Sequence, residues 1–340
     1  MNSPGAAKVP VRGLGERNVR VLVTGATGFV GRAVCSALLD ADHRVTAAVR
    51  KLPADIVSGC EPVAVGDIDG ETPWLEALDG VDGIVHLAAL THRRGGHDPT
   101  VAYRRINVAG STQLARAAID ADVHSFVYMS SIKVNGESSP VDANGVPRPF
   151  SGNDEPRPTT AYGKTKWEAE QALHAITGGT PMRLIVLRPP LVYGPGQKAN
   201  LLDLMRAVDS GVPLPFAGLG NLRSLIGVEN LAAAAVLAVA SDRAVAGTYT
   251  LADVDLSSAD LVRAMAAALG KRVRLFRFPR RLLEVAAWLT GRSDAFEKIA
   301  GSLIVENESI AKALSWAPRR SLEQSLAEAA AQYRVNTGDR

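Results

Sequence analysis

Short runs of β-branched and other apolar residues alternate along the first half of the chain with stretches whose apolar positions recur every three or four residues. VRVLVTG (19–25) leads into a helical pattern at 29–40, HRVTAAVR (43–50) follows, and EPVAVGD (61–67) is a third short run. DGIVHLAA (82–89) precedes a helical pattern over roughly 99–120, and HSFVYMSS (124–131) comes next. A helix near 160–177 then leads to MRLIVLRPP (182–190). Strands with apolar centres, alternating with helices and lacking hairpin turns, predict a parallel sheet with helices on both faces.

Past residue 190 the rhythm loosens. Gly and Pro punctuate VYGPGQKAN, SGVPLPFAGLGN and RFPRR, with helical stretches at about 200–209, 228–241, 257–269 and 279–290. GTYTLAD (247–253) keeps a strand pattern. The expectation is an α/β protein: a Rossmann-type doubly wound parallel sheet over 19–190, returning near 224–253. A smaller, interleaved C-terminal substrate-binding cap takes 191–223 and 254–335. Loop-rich elements over the carboxyl ends of a parallel sheet are where specificity usually resides. LAAAAVLAVA (231–240) is about half a membrane span, so a buried core helix is expected and no span. Residues 1–18 lack the continuous apolar core of a signal peptide and read as a flexible leader.

Composition changes this picture little. The 340 residues are 46% hydrophobic with a formal net charge of +3. Arginine is scattered and aromatic content is low, which argues against nucleic acid as a partner. Cys35 and Cys60 form neither a disulfide framework nor a metal-ligand spacing, so no metal and a reducing, cytoplasmic setting are expected.

Chemistry enters with VTGATGFVG, which sets Gly25, Gly28 and Gly31 between a strand and a helix. The first permits a tight turn, the second lets backbone approach a pyrophosphate, and the third allows close helix–strand packing. The helix N-terminus adds donors and a positive dipole end. In AYGKTK, Tyr162 and Lys166 stand four apart on one helical face. YMSSIKVNG puts Ser130 and Ser131 at the carboxyl end of a strand. A phenol titrates near pH ~10, and a neighbouring ammonium favours the phenolate. With a serine hydroxyl holding the reacting oxygen, such a trio passes a proton to or from an alcohol or ketone while a nicotinamide handles hydride.

On GATGFVG, VHLAA (85–89), NVAGS (107–111), SSIKVNG (130–136), YGKTK (162–166) and LRPPLVYGPG (187–196), the chain resembles the extended short-chain dehydrogenase/reductase superfamily. The branch is that of the nucleotide-sugar epimerases and dehydratases, and the likeness covers about residues 20–330. SSIKVNGE and RPPLVYGPGQKAN are most similar to a bacterial surface-polysaccharide subgroup. That subgroup includes UDP-sugar 4-epimerases and reductases of UDP-4-keto-6-deoxy-N-acetylglucosamine.

The resemblance implies that Tyr162 is the general acid/base, that Lys166 lowers its pKa and holds the nicotinamide ribose, and that Ser131 hydrogen-bonds the sugar C4 oxygen. It implies that Gly25, Thr27, Gly28, Phe29, Val30 and Gly31 cradle the cofactor. Asp67 and Ile68 contact adenine, and Leu87, Ala88 and Ala89 line the groove. Asn107 is both a cofactor residue and a buried polar bracket, and Pro189 to Val192 pack by the nicotinamide. A nucleotide-sugar substrate is expected on Ser131, Lys133, Asn200, Leu201 and Arg223, with Arg292 as a weak match for a further diphosphate arginine. Asn135 stands where relatives carry tyrosine. Dimerisation through the helices at 99–120 and 160–177 is implied too.

The second strand ends in Arg50 and Lys51 rather than in the acid that binds the 2′-hydroxyl of NAD, so NADP(H) is the preferred cofactor and NAD(H) the other possibility. Arg32, in the first turn of the helix, either assists or is simply exposed. The main expectation is therefore an NADPH-dependent nucleotide-sugar 4-ketoreductase. The alternative is a UDP-hexose or UDP-N-acetylhexosamine 4-epimerase with tightly held NAD. A non-catalytic dinucleotide sensor usually loses the Tyr/Lys pair. Dehydratases usually carry Asp–Glu where this chain has Ile132 and Lys133. KRVRLFRFPRR (271–281) is expected to be a solvated basic face, with diphosphate or anionic lipid as other readings.

Overall fold

The computed structural model describes residues 18–91, 100–198, 200–289, 296 and 300–338. Of the expected leader only Asn18 falls among them, and Arg292 lies outside them. Six strands follow in turn: β1 (Arg20–Thr24), β2 (Arg44–Val49), β3 (Glu61–Ala64), β4 (Gly83–His86), β5 (Ser125–Met129) and β6 (Arg183–Arg188). β7 (Leu191–Tyr193) and β8 (Arg223–Gly227) leave for a second sheet, β9 (Gly247–Thr250) returns to the first, and β10 (Val254–Leu256) leaves again.

The large sheet has the order β3-β2-β1-β4-β5-β6-β9 with every pairing parallel. The strand order reverses between β1 and β4. Such a switch point opens a crevice at the carboxyl ends of the strands, where ligands bind.

Among the described residues, α-helices cover both faces of the large sheet and build much of the cap. They are α1 (Phe29–Asp40), α2 (Thr100–Tyr103), α3 (Ser111–Asp120), α4 (Ala161–Thr177), α5 (Asn200–Asp209), α6 (Val228–Ala240), α7 (Ser258–Ala268) and α8 (Arg280–Leu289). Then come α9 (Glu308–Leu314) and α10 (Leu322–Thr337). Side chains alternate across the sheet with period two. Val21, Val23, Val127, Ile185 and Leu187 face α1 and α6. Leu22, Phe126, Tyr128, Leu184 and Val186 face α3 and α4. Burial on both faces is why these strands read as unbroken apolar runs.

Two details differ from the pattern-based reading. The helix expected over 99–120 is interrupted: α2 and α3 are separated by a π-helical segment, Arg104–Gly110. Its wider turn lets Asn107 point inward, a role described below. Within 224–253, α6 and β9 lie against or in the large sheet. β8 instead pairs with β7 and β10 in a small sheet of order β10-β8-β7. A separate apolar core built from α5, α7, α10 and this small sheet forms the cap.

Candidate active site

The loop from β1 to α1 works only with glycine. Gly25 has φ +69°, and a Cβ there would lie 2.9 Å from the Ala88 nitrogen; one on Gly31 would lie 2.1 Å from the Gly25 carbonyl oxygen. The loop is closed by the Gly28 N–H donating to that carbonyl at 2.9 Å. Gly28 is the N-cap of α1 and no side chain caps the helix, so its first N–H groups remain for an anion.

A polar relay that the motifs did not reveal fixes the neighbouring β4 end. Thr24 Oγ1 accepts from the Leu87 and Ala88 N–H groups and lies 2.7 Å from His86 Nδ1. His86 Nε2 lies 2.9 Å from Ser111 Oγ, which donates to the Asn107 carbonyl. Ser111 spends its proton on that carbonyl, so His86 donates from Nε2 and accepts the Thr24 proton at Nδ1. Burial, reinforced by the Lys166 charge, pushes the His86 pKa down to about 3, keeping the imidazole neutral. Asn107 brackets Leu90 through both backbone groups and reaches Thr165. These bonds make it a structural brace between the π-helical segment and the loop after β4.

A cleft of about 490 Å³ lies over these elements. Of the expected cofactor residues it brings together Gly25, Thr27, Gly28, Arg50, Asp67, Ile68 and Leu87 to Ala89, and it adds Leu90, Arg105 and Ile106. Phe29, Val30 and Gly31 form the first turn of α1. Lys51 is exposed and does not line this cleft, and neither do Pro189 and Val192, which follow β6. Arg50 does not stand alone: its Nε lies 2.7 Å from Asp67 Oδ1, with both side chains mostly exposed at 78% and 68%. Arg32 is likewise taken, by Asp55. A three-glycine cradle, an uncapped helix end and a carboxylate at the β3 end make a donor and acceptor set that fits a dinucleotide.

Ser131, Tyr162 and Lys166 come together at the carboxyl end of β5, and none of the three lines the cleft described above. Ser131 follows β5 and caps a short 3₁₀ turn by accepting from the Lys133 N–H. Thr160 caps α4 through the Gly163 N–H, which starts the helix one residue before Tyr162. Ser131 hydrogen-bonds the Tyr162 hydroxyl. The Tyr162 ring packs edge-on against Tyr103 at 6.4 Å. Lys166 is buried, donates from Nζ to the Met129 carbonyl at 2.7 Å, and sits 4.5 Å from the centre of the Tyr128 ring.

Burial dominates the acidities of Tyr162 and Lys166. Burial pushes Tyr162 up to about 12, with only the Ser131 hydrogen bond acting to lower it. Burial pushes Lys166 down to about 7, opposed by Glu170. Lys166 directs its ammonium to the Met129 carbonyl and the Tyr128 ring.

Behind the trio is a second polar cluster. Glu170 receives hydrogen bonds from Ser130 and from Arg188, and Arg188 also donates to Asn135 Oδ1 at 3.0 Å and to the Gly152 carbonyl. Asn135 in turn donates to the Ser151 carbonyl. The asparagine in the place of the relatives' tyrosine is therefore buried scaffolding. No motif pointed to Glu170 or Arg188; the available clue was a charge on the inner face of α4 and another in the apolar run of β6.

The expected substrate residues are more scattered. Lys133 forms a close ion pair with Glu137. Asn200 is exposed at the start of α5. The side chain of Leu201 is buried in the cap core, so only its backbone is available to a ligand. Arg223 donates to the Gly301 carbonyl at 2.9 Å from β8. Among the described residues no group of His, Cys, Asp and Glu is arranged to hold a metal, and no helix is long and apolar enough to cross a membrane.

Comparison with known proteins places this arrangement. The model of the NAD dependent epimerase/dehydratase family matches residues 21–252. The UDP-glucose 4-epimerase of Vibrio cholerae is 35% identical over 320 residues, covering 92% of this chain and 95% of that protein. The N-acetyl-alpha-D-glucosaminyl-diphospho-ditrans,octacis-undecaprenol 4-epimerase of Escherichia coli O157:H7 is 26% identical, covering 83% of this chain and 84% of that protein. The solved structure of MoeE5 in complex with UDP-glucose and NAD superposes with a TM-score of 0.71 at 26% identity, covering 94% of this chain and 99% of that chain.

Proposed function

The chain belongs to the NAD-dependent epimerase/dehydratase family, and on that premise we propose that it is a UDP-hexose or UDP-N-acetylhexosamine 4-epimerase with NAD as its resident cofactor. This puts the second of the two sequence-based readings ahead of the NADPH-dependent 4-ketoreductase. The observation that carries the choice is the Arg50–Asp67 ion pair. Arg50 alone favours a 2′-phosphate. Paired, it would have to share that phosphate with a carboxylate that repels it, whereas a 2′-hydroxyl can donate to the same carboxylate. The relatives whose names specify UDP-glucose and NAD support the same reading.

When bound, the nicotinamide supplies the hydride acceptor and donor at the sugar C4. The glycine loop and the uncapped α1 N-terminus hold the pyrophosphate. Tyr162 takes the C4 hydroxyl proton and returns it, and Ser131 donates its hydroxyl hydrogen bond to that oxygen as it becomes a carbonyl. With a pKa pushed up to about 12, the phenol needs a positive neighbour in order to ionise. Lys166, one helical turn further along α4 with a pKa of about 7, is the residue that would supply that charge. Asn200 and Arg223 serve the diphosphate half of the substrate from the cap. The setting is the cytoplasm, with homodimers formed through α2, α3 and α4, where Arg104 already clamps Glu168 in a two-point ion pair.

Incubation of the purified protein with UDP-glucose and with UDP-N-acetylglucosamine, without added cofactor, tests this. Appearance of the galacto epimer, and release of NAD on denaturation, are the expected results. Oxidation of NADPH by UDP-4-keto-6-deoxy-N-acetylglucosamine, with no epimer formed, would return the assignment to the 4-ketoreductase.

A further inference from the structure

Residues 271–289 form a strap and helix on the cap that are exposed almost throughout. The strap is anchored by backbone pairing, in which Leu214 donates to the Arg274 carbonyl and Phe276 donates back to Leu214, and by Leu275 packed against the cap core. The strap leads into α8, where Leu282, Val285, Trp288 and Leu289 fall on one arc of about 120° at 3.6 residues per turn. These four side chains are 54%, 51%, 72% and 70% exposed. Val273 and an edge-to-face pair, Phe276 and Phe278, continue the exposed apolar surface along the strap. A single exposed leucine calls for no explanation, but a contiguous patch of this kind does.

The same segment holds six cations (Lys271, Arg272, Arg274, Arg277, Arg280 and Arg281) and one acid, Glu284. Lys271 pairs with Asp209 and Arg280 with Glu284. The other four arginines form no ion pair among the described residues. A large apolar stripe with tryptophan, bordered by excess arginine, matches the chemistry of an interface between lipid headgroups and acyl chains. A second copy of this chain is a poorer occupant. A two-fold contact would set this arginine-rich face against itself.

We propose that this face docks the protein on an anionic phospholipid membrane surface, with the arginines on lipid phosphates and Trp288, Leu289, Val285 and Leu282 inserted between headgroups. The docking does not depend on which reaction the active site runs.

Co-sedimentation of the full chain with phosphatidylcholine vesicles, with and without phosphatidylglycerol, tests it. Binding is expected only with phosphatidylglycerol, and it should fall with added salt. Arg274→Glu combined with Arg277→Glu should lower the bound fraction about tenfold or more, and Leu289→Asp should lower it too, each with an unchanged thermal melt. Where Leu289→Asp does not fold, quenching of the native chain by brominated lipid replaces it: the quenching should disappear in Trp288→Phe. Equal binding to both vesicle types, no binding to either, or quenching retained in Trp288→Phe overturns the proposal. So does a dimer in gel filtration that Leu289→Asp splits without any vesicle binding by the native chain, and so does capture by an acidic polypeptide alone.

Discussion

Arg188 and Glu170 form an ion pair sealed from solvent, with Nη2 2.5 Å from Oε2 and side-chain exposures of 2% and 0%. The pair joins the end of β6 to the middle of α4, and through Ser130 to the end of β5. Ser131 follows Ser130 in the chain, and Lys166 lies one turn before Glu170 on α4. The pair therefore ties together the segments that carry Ser131 and Lys166.

Breaking this pair from one side should be expensive. Arg188→Met leaves the Glu170 carboxylate buried without its counter-charge, and a loss of roughly 3–5 kcal/mol in unfolding free energy is expected. Urea denaturation measures it. The double variant Arg188→Met with Glu170→Gln should lose less than the two single losses added together. Full additivity would mean the two groups act separately.

Tyr162→Phe should reduce epimerisation by roughly a hundred- to ten-thousand-fold, the usual worth of a positioned acid/base. The ring contact with Tyr103 survives in the variant, so the melting temperature should hardly change. Progress curves with UDP-glucose, alongside a thermal melt, separate loss of chemistry from loss of fold.

Asp67→Asn should release Arg50. The expected result is a shift of preference towards NADPH over NADH by roughly fivefold, the scale of one exposed ion pair. Fluorescence titration of the apoprotein with both cofactors reads it. An unchanged ratio would mean that Arg50 has no part in reading the ribose.

His86 sets an acid limit on stability. The unfolded imidazole takes a proton below about 6.5, while the folded one resists until about 3. Above that window the contribution is complete, and it is lost as pH falls through it, at about 1.4 kcal/mol per pH unit. Denaturant midpoints across the window should show this slope in the native chain and a shallower one in His86→Gln, even though that variant starts less stable.

The fold was legible wherever one short segment held the whole signal. β1, β4, β5 and β6 read as apolar runs because both faces are buried, and α4 to α8 carry helical spacing. Gly25 and Gly31 were legible because their constraint is local to one turn. Tyr162 and Lys166 share a face by spacing alone. The relations that refined the site join residues far apart in the chain. Arg50 meets Asp67 only because β2 and β3 end side by side, and Glu170 meets Arg188 across a helix–strand contact. The π-helical segment at 104–110 has no marker in the hydrophobic spacing. Leu201 looked available beside Asn200 because a sequence pattern does not say which side of a short helix the cap core will claim.

The chain passes between the large sheet and the cap after β6, again after β8, and once more after β9. The large sheet and the cap are thus threaded together, with no single junction at which they could be cut. Ending the polypeptide after residue 190 would remove β9 and leave β6 as an open edge, ready to pair with another chain. It would also strip α6 from α1 and expose the apolar face they share. Neither half is a module that gene fusion or recombination could pass on alone: they must be inherited together and must fold together.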